Sequence, residues 1–284
     1  MTLELDADLI TRLVRDALEE DRAFDDATTL ATVSPALSGT ASFLAKEEGV
    51  LAGMPVALEA FRQLDPQAKL VVHVAEGQAF SDRTVLAEVT CAVQAMLRAE
   101  RVALNFLQRM SGTATLTRRF VDAVRGTQAV ILDTRKTTPG LRDFEKYAVR
   151  CGGGTNHRRD LAAMAMIKDN HREALAREGR SLAEGVASIR RLFPGVPVEV
   201  EIDSLDQLEA ALAESPEWVL LDNMSNAGMA EAVRRTRGRA RLEASGGVKL
   251  STVRAIAETG VDAISAGALT HSQGSLDISL ELTF

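Results

Sequence analysis

Cysteine is scarce in this sequence. Only two of the 284 residues are cysteine, Cys91 and Cys151, too few for a disulfide framework or a four-ligand zinc site. Aromatic residues make up 4%, which leaves no material for a base-stacking surface. Positive charge is in the minority: 33 Lys and Arg against 40 Asp and Glu give a formal net charge of −7. That balance argues against nonspecific nucleic-acid binding, which needs a basic footprint. Long apolar runs are missing as well. The longest, Leu161 to Ile167, is seven residues, where a membrane span needs about 20. The start, Met1-Thr2-Leu3-Glu4-Leu5-Asp6, carries neither the basic region nor the apolar stretch of a secretory signal. A cytoplasmic, reducing location is expected. What remains is an ordinary globular composition, 46% apolar and 26% charged.

Hydropathy patterning divides the chain. Leu5, Leu9, Ile10, Leu13, Val14, Ala17 and Leu18 recur at helical spacing, and Asp25-Asp26-Ala27-Thr28-Thr29 reads as a polar loop. Short β-like runs follow at Thr40–Ala45, Val50–Gly53, Leu70–Val74 and Thr84–Val89, interrupted by a helical stretch from Pro55 to Gln63. A long helical segment spans about Val93 to Val124, with a break expected near Ser111-Gly112. Beyond it, apolar runs at Ala129–Leu132, Met164–Ile167, Val198–Ile202, Trp218–Leu221, Ala240–Leu242 and Ala263–Ile264 read as buried parallel strands. Most are separated by amphipathic stretches such as Leu182–Leu192 and Leu205–Leu212. This alternation predicts an α/β fold with a parallel sheet of six or seven strands. Leu276–Leu282 alternates apolar with polar residues, as a half-exposed strand able to rejoin the first sheet does.

In parallel α/β architectures ligands bind where strands end at their carboxyl edge. The runs are followed by Asp133-Thr134-Arg135-Lys136, Lys168-Asp169-Asn170-His171, Asp222-Asn223, Glu243-Ala244-Ser245-Gly246-Gly247 and Ser265-Ala266-Gly267-Ala268, and one carries Glu199, Glu201 and Asp203. Polar ends in register point to one active-site mouth. Glu201 and Asp222 suit a hard cation such as Mg²⁺. Ser245-Gly246-Gly247 and Ala266-Gly267-Ala268 are small-residue turns whose amides suit phosphate. Arg135, Lys136, Arg158 and Lys168, with His157, form a basic cluster against the global charge. Arginine suits carboxylates because its planar fork bonds both oxygens. A polyanionic substrate carrying phosphates and carboxylates is expected.

Several residues have plainer readings. Glu199 is assigned to the opposite side of its strand from Glu201, in a structural role, and Asp133 to ordering its own loop. His73 reads as a core or surface residue, Met164 and Met166 as core filler, and Lys46-Glu47-Glu48 as a solvated turn. Two other functions stay open on the residues alone. One is a Schiff-base aldolase using Lys168, and the other a non-catalytic binder of phosphorylated ligands.

Longer motifs carry a resemblance. Glu100-Arg101-Val102-Ala103-Leu104-Asn105-Phe106-Leu107-Gln108, Asp133-Thr134-Arg135-Lys136-Thr137-Thr138-Pro139-Gly140-Leu141-Arg142 and Gly152-Gly153-Gly154-Thr155-Asn156-His157-Arg158 are similar to those of the quinolinate phosphoribosyltransferases. So are Ile167-Lys168-Asp169-Asn170-His171, Leu220-Leu221-Asp222-Asn223 and Gly267-Ala268-Leu269-Thr270-His271-Ser272. The resemblance runs in order from about Gly39 onward. A molybdenum-associated homologue shares an Arg-Lys-Thr-x-Pro-Gly stretch but departs around the Asn-His-Arg and Ile-Lys-Asp-Asn-His motifs, which are intact here.

The resemblance implies an N-terminal α/β sandwich domain, residues 1–110 with 272–284 returning to it, and an incomplete α/β barrel over 111–271. It implies that quinolinate and phosphoribosyl pyrophosphate give nicotinate mononucleotide, pyrophosphate and CO₂ in NAD biosynthesis, with Mg²⁺ and no organic cofactor. It further implies a homodimer or higher homo-oligomer, with Arg101 reaching into the partner's site. Thr134, Arg135, His157, Arg158 and Lys168 would hold the quinolinate carboxylates and nearby phosphate oxygens, and Lys136 would act near the ribose and pyrophosphate. Glu201 and Asp222 would bind Mg²⁺ and the ribose hydroxyls. Ser245, Gly246 and Gly247, with Ala266, Gly267 and Ala268, would hold the 5′-phosphate beside His271.

Overall fold

Residues 5–283 are described in a computed structural model of the chain; Met1–Glu4 and Phe284, the outer ends of the expected first domain, lie outside them. The contacts divide the chain into two units: residues up to Arg118 with Thr138–Gly153 and the segment from Gln273, and Arg119–Thr137 with Gly154–Ser272.

The first unit opens with α1 (Ala7–Glu20), whose N-terminus is capped by the Asp6 side chain accepting the Leu9 N–H at 2.8 Å. Its apolar face buries Val14 and Leu18. Asp26 caps α2 (Ala27–Thr32) by accepting the Thr28 and Thr29 N–H groups. The polar stretch around Asp26 is thus a helix start rather than a loop, because an Asp can serve an N-cap as readily as a turn. Next come β1 (Ser38–Ala45), β2 (Gly49–Val50), α3 (Met54–Leu64), β3 (Lys69–Val72), β4 (Ala79–Phe80) and β5 (Val85–Ala92). A four-stranded sheet has the order β12-β1-β5-β3, where β12 is Ile278–Thr283, antiparallel to β1. β2 and β4 pair separately.

The helix α4 (Val93–Ala123) runs without a break through Ser111-Gly112. Gly112 serves packing instead: a Cβ there would lie 2.0 Å from the Gly274 carbonyl oxygen. The helix α5 (Arg142–Cys151) also differs from expectation, because it belongs to the first unit rather than to a barrel domain of 111–271. It buries Phe144, Tyr147, Ala148 and Cys151 in the first unit's core, and each large aromatic contributes about 1.5–3 kcal/mol on burial. Its buried Glu145 accepts Arg109 Nη2 at 2.6 Å and the Thr138 N–H at 3.0 Å. Both cysteines are free and buried; burial pushes Cys91 up to about 11 and Cys151 up to about 12, so neither offers a reactive thiolate.

The second unit is the alternating part. Its elements are β6 (Val130–Leu132), β7 (Ala165–Ile167), α6 (Asp169–Arg177), α7 (Leu182–Leu192), β8 (Val198–Ile202), α8 (Leu208–Ala213), β9 (Trp218–Asp222), α9 (Asn226–Thr236), β10 (Arg241–Ser245), α10 (Val253–Ala257), β11 (Ala263–Ser265) and α11 (Ala268–His271). All six strands are parallel, in the order β6-β11-β10-β9-β8-β7. This is the incomplete barrel: among the described residues β6 and β7 end the order without pairing with each other, and Thr155 bridges to Leu132 beside β6. The Leu161–Ile167 run yields only a three-residue strand, and Leu161 is 72% exposed.

Candidate active site

The carboxyl ends of the parallel strands converge on one cavity of about 550 Å³ in the second unit. Arg135, Lys136, Arg158, Lys168, Glu201, Asp222 and the Ser245-Gly246-Gly247 turn all line it, with Thr134 and His157. Asn223, Glu243, Ser265, Leu220 and Met166 line it too; Met166 therefore belongs to the site rather than to the core filler.

The chain bends sharply after β6. The Thr137 N–H donates to Arg135 O at 2.9 Å and the Lys136 N–H to Thr134 Oγ1 at 3.0 Å, while Lys136 O accepts the hydroxyl of buried Thr270 at 2.7 Å. The Lys136 backbone is pinned and its side chain left exposed. Thr270 is not singled out by sequence, since one threonine in an apolar stretch carries no signal. Arg135 Nη1 is buried and meets no acceptor among the described residues, as expected of a donor reserved for an anion. Arg158 donates from Nη1 to Met164 O at 2.8 Å. Burial lowers its pKa, the neighbouring Arg135 charge lowers it further, and Glu199 and Glu243 oppose both.

Lys168 follows β7, and its Nζ donates to Glu201 Oε2 at 2.7 Å. An ion pair of this kind suits a charged ammonium rather than the neutral amine that the aldolase reading needs. The Lys168 N–H donates to His171 Nδ1 at 3.0 Å, so His171 caps α6. Asp222 Oδ2 accepts from Asn223 Nδ2 at 2.8 Å. Glu201 Oε1 and Asp222 Oδ1 take no hydrogen bond among the described residues. Two carboxylates on adjacent strands, each with an oxygen to spare, fit Mg²⁺, which binds through one or two carboxylates and completes its shell with water and phosphate.

Asp133 is buried and orders its neighbours: it accepts Asn156 Nδ2 at 2.6 Å and the His157 N–H at 2.8 Å. The His157 Nε2 then lies 3.0 Å from Glu243 Oε2 and 3.4 Å from Glu199 Oε2. Glu199 is thus on the same face of β8 as Glu201, not the opposite one, because side chains two residues apart share a strand face. Burial alone would lower the His157 pKa, yet the two carboxylates raise it to about 9. The three groups lie within 4.8 Å of one another, but the Arg158 charge, which interacts with both carboxylates, disfavours a metal ion there. Sequence reading places Glu243 after the Ala240–Leu242 run and gives it no role of its own, whereas the residue sits inside β10, which extends to Ser245.

Gly246 has φ +98°, and a Cβ there would fall 2.1 Å from Asn223 Oδ1 and 2.9 Å from Asn223 N; Gly247, at φ +57°, faces open space. Gly246→Ala is expected to cost about 1–3 kcal/mol of stability and lower Tm by roughly 2–10 °C in calorimetry, with Gly247→Asn close to neutral. Gly267 lies beside Lys136 and His271: its Cβ would meet His271 Nε2 at 2.9 Å and Lys136 Cδ at 3.2 Å. Ala266, Gly267, Ala268 and His271 are not among the cavity's lining residues. The Ala266 N–H is already given to Leu132 O at 3.0 Å, so this amide is not available to phosphate. Since α10 and α11 have five and four residues, a cradle here rests on turn amides, not on helix dipoles. Arg101 belongs to the first unit, exposed on α4, and lines a different cavity with Asn105, Arg109 and Leu141.

Comparison with known proteins matches residues 26–111 to the quinolinate phosphoribosyl transferase N-terminal domain and 113–281 to its C-terminal domain. The chain belongs to the quinolinate phosphoribosyltransferase family. Relatives in this family include the nicotinate-nucleotide pyrophosphorylase [carboxylating] of Mycobacterium leprae, 44% identical over 99% of this chain and 100% of that protein. The Bacillus subtilis protein named probable nicotinate-nucleotide pyrophosphorylase [carboxylating] is 42% identical, covering 86% of this chain and 83% of its own. The solved nicotinate-nucleotide pyrophosphorylase from Francisella tularensis superposes with a TM-score of 0.92 at 38% identity, over 99% of this chain and 98% of its own.

Proposed function

We propose that this member of the quinolinate phosphoribosyltransferase family converts quinolinate and phosphoribosyl pyrophosphate to nicotinate mononucleotide, pyrophosphate and CO₂, as a step of NAD biosynthesis, in the cavity of its second unit. One observation carries the reading. Arg135, Lys136, Arg158 and Lys168 share one cavity of an acidic chain, and one guanidinium nitrogen there is buried without an acceptor among the described residues.

Both substrates are polyanions that repel each other, so the first task is to hold them together. Arg135, Arg158 and Lys168 face the carboxylates of quinolinate, and two carboxylates give a tighter hold than the single one of nicotinate. The Gly246-Gly247 turn and the Gly267-Ala268 turn suit the 5′-phosphate, with His271 beside it. Mg²⁺, held by Glu201 and Asp222, would neutralise charge on the departing pyrophosphate.

Breaking the C1′–O bond sends its electron pair to pyrophosphate, where Lys136 stabilises the growing charge, and leaves an oxocarbenium-like ribose that the two carboxylates tolerate. The pyridine nitrogen donates its lone pair to C1′. Once alkylated, the cationic ring nitrogen stabilises the carbanion left on the neighbouring ring carbon as its carboxylate departs as CO₂, and a proton from solvent then adds to that carbon. This chemistry needs no protein nucleophile or organic cofactor. A homodimer or higher homo-oligomer would bring Arg101 of the partner subunit to the site. A reducing cytoplasm would keep Cys91 and Cys151 as thiols; no helix among the described residues is long and apolar enough to cross a membrane.

The deciding assay follows labelled CO₂ from carboxyl-labelled quinolinate. Release is expected only with phosphoribosyl pyrophosphate and Mg²⁺ both present. A protein that binds both substrates yet releases none is a binder, and the enzymatic reading falls.

A further inference from the structure

Two carboxylates in the second unit take no part in the chemistry above. Glu199 on β8 is fully buried and Glu243 on β10 is 2% exposed. Both face one group, the His157 ring, at 3.4 and 3.0 Å from Nε2, and Glu199 has no better partner: neither of its oxygens makes a well-formed hydrogen bond. Burying two carboxylates in one place is costly, and such groups ask for an explanation. The other ring nitrogen supplies it. His157 Nδ1 lies 2.7 Å from the Arg158 N and accepts its N–H. In the neutral ring a nitrogen that accepts a hydrogen bond carries no proton, so the ring proton sits on Nε2, aimed at the two carboxylates. The two carboxylates favour the charged ring, in which Nδ1 carries a proton too and the Nε2 proton stays where it is. The same turn is held from the other side by Asp133, which accepts the His157 N–H at 2.8 Å. With both ring nitrogens engaged inside the protein, His157 acts on the cavity through the residue that follows it.

We propose that Glu199 and Glu243 are positioning residues for the dicarboxylate-binding end of the cavity: as counter-charges 3.4 and 3.0 Å from His157 Nε2 they lock that ring, and together with Asp133 on the His157 N–H they fix the backbone that presents the Arg158 guanidinium. This inference rests on the reading of the cavity as a quinolinate site. It differs from a simple charge effect in sign. Negative charge close to an anion site weakens anion binding, so its removal alone lowers the KM for quinolinate, whereas loss of positioning raises it.

The test compares Glu243→Leu, which keeps the volume and removes the nearer acceptor, with Glu243→Gln, which keeps an acceptor oxygen and removes the charge. Glu243→Leu is expected to raise the KM for quinolinate about 10- to 100-fold, with a much smaller change in kcat and in the KM for phosphoribosyl pyrophosphate. Glu243→Gln should recover most of the loss. An unchanged or lowered quinolinate KM in the leucine variant, or a glutamine variant no better than it, overturns the proposal. Should the leucine variant not fold, ¹⁵N shifts of the His157 ring in the wild-type protein decide: a protonated Nε2 supports the proposal, and a bare Nε2 overturns it. Wild-type protein that releases no CO₂ defeats the functional reading itself. Active wild type with an indifferent Glu243→Leu defeats only this inference.

Discussion

Lys136→Ala is expected to lower kcat by about 10²–10³-fold, the usual cost of one group that stabilises transition-state charge, while the fold is retained. The side chain is exposed and the backbone is pinned by Thr134 and Thr270 through atoms that alanine keeps. Truncation therefore removes a cation without disturbing the turn that places it. Stopped-time assays of CO₂ release at saturating substrates, with circular dichroism as the fold control, check this. Because the charge matters most as pyrophosphate leaves, kcat should fall more than the KM values rise. Turnover within a few-fold of wild type would remove Lys136 from the chemistry. A KM effect with kcat preserved would make it a ground-state binding residue.

A mixture of Arg101→Ala and Lys136→Ala subunits is expected to regain activity that neither variant has alone. Arg101 is exposed on α4 in the first unit and lines its own cavity, whereas the cation cluster belongs to the second. If each working site takes Arg101 from one subunit and Lys136 from its partner, every mixed dimer contains one intact site and one doubly altered one. Random exchange gives half mixed dimers, so the mixture should reach about a quarter of wild-type activity in a two-fold dimer. Assaying CO₂ release after verified subunit exchange measures it. No recovery under those conditions defeats the shared site and leaves the single-subunit chemistry standing.

Patterning of apolar residues was enough to locate the six parallel strands and the first helix, because a buried strand or an amphipathic face writes its period into contiguous residues. It failed where one residue type serves two geometries. Asp26 reads as a turn and is a helix cap; Gly112 reads as a break and is a point of close approach inside a continuous helix. It failed too for Thr138–Gly153, whose apolar side chains pack in the first unit although the chain on either side belongs to the second. A pattern states that a face is buried, not what buries it.

The site divides in the same way. Arg135, Lys136, Lys168, Glu201 and Asp222 are legible in the chain because charged residues directly after or within buried strands leave few places to go but the carboxyl-edge mouth, while Arg158, which follows no strand, is legible through its basic cluster and its motif. That placement follows from local order alone. Glu243, Thr270 and the role of Glu199 depend instead on distances between strands far apart in sequence: the His157 ring meets β8 and β10 only once the parallel order β10-β9-β8 is assembled. Which groups carry the charge is a property of composition and spacing. Which groups hold those charges in place is set by through-space contacts of a few ångströms, and no one-dimensional pattern records them.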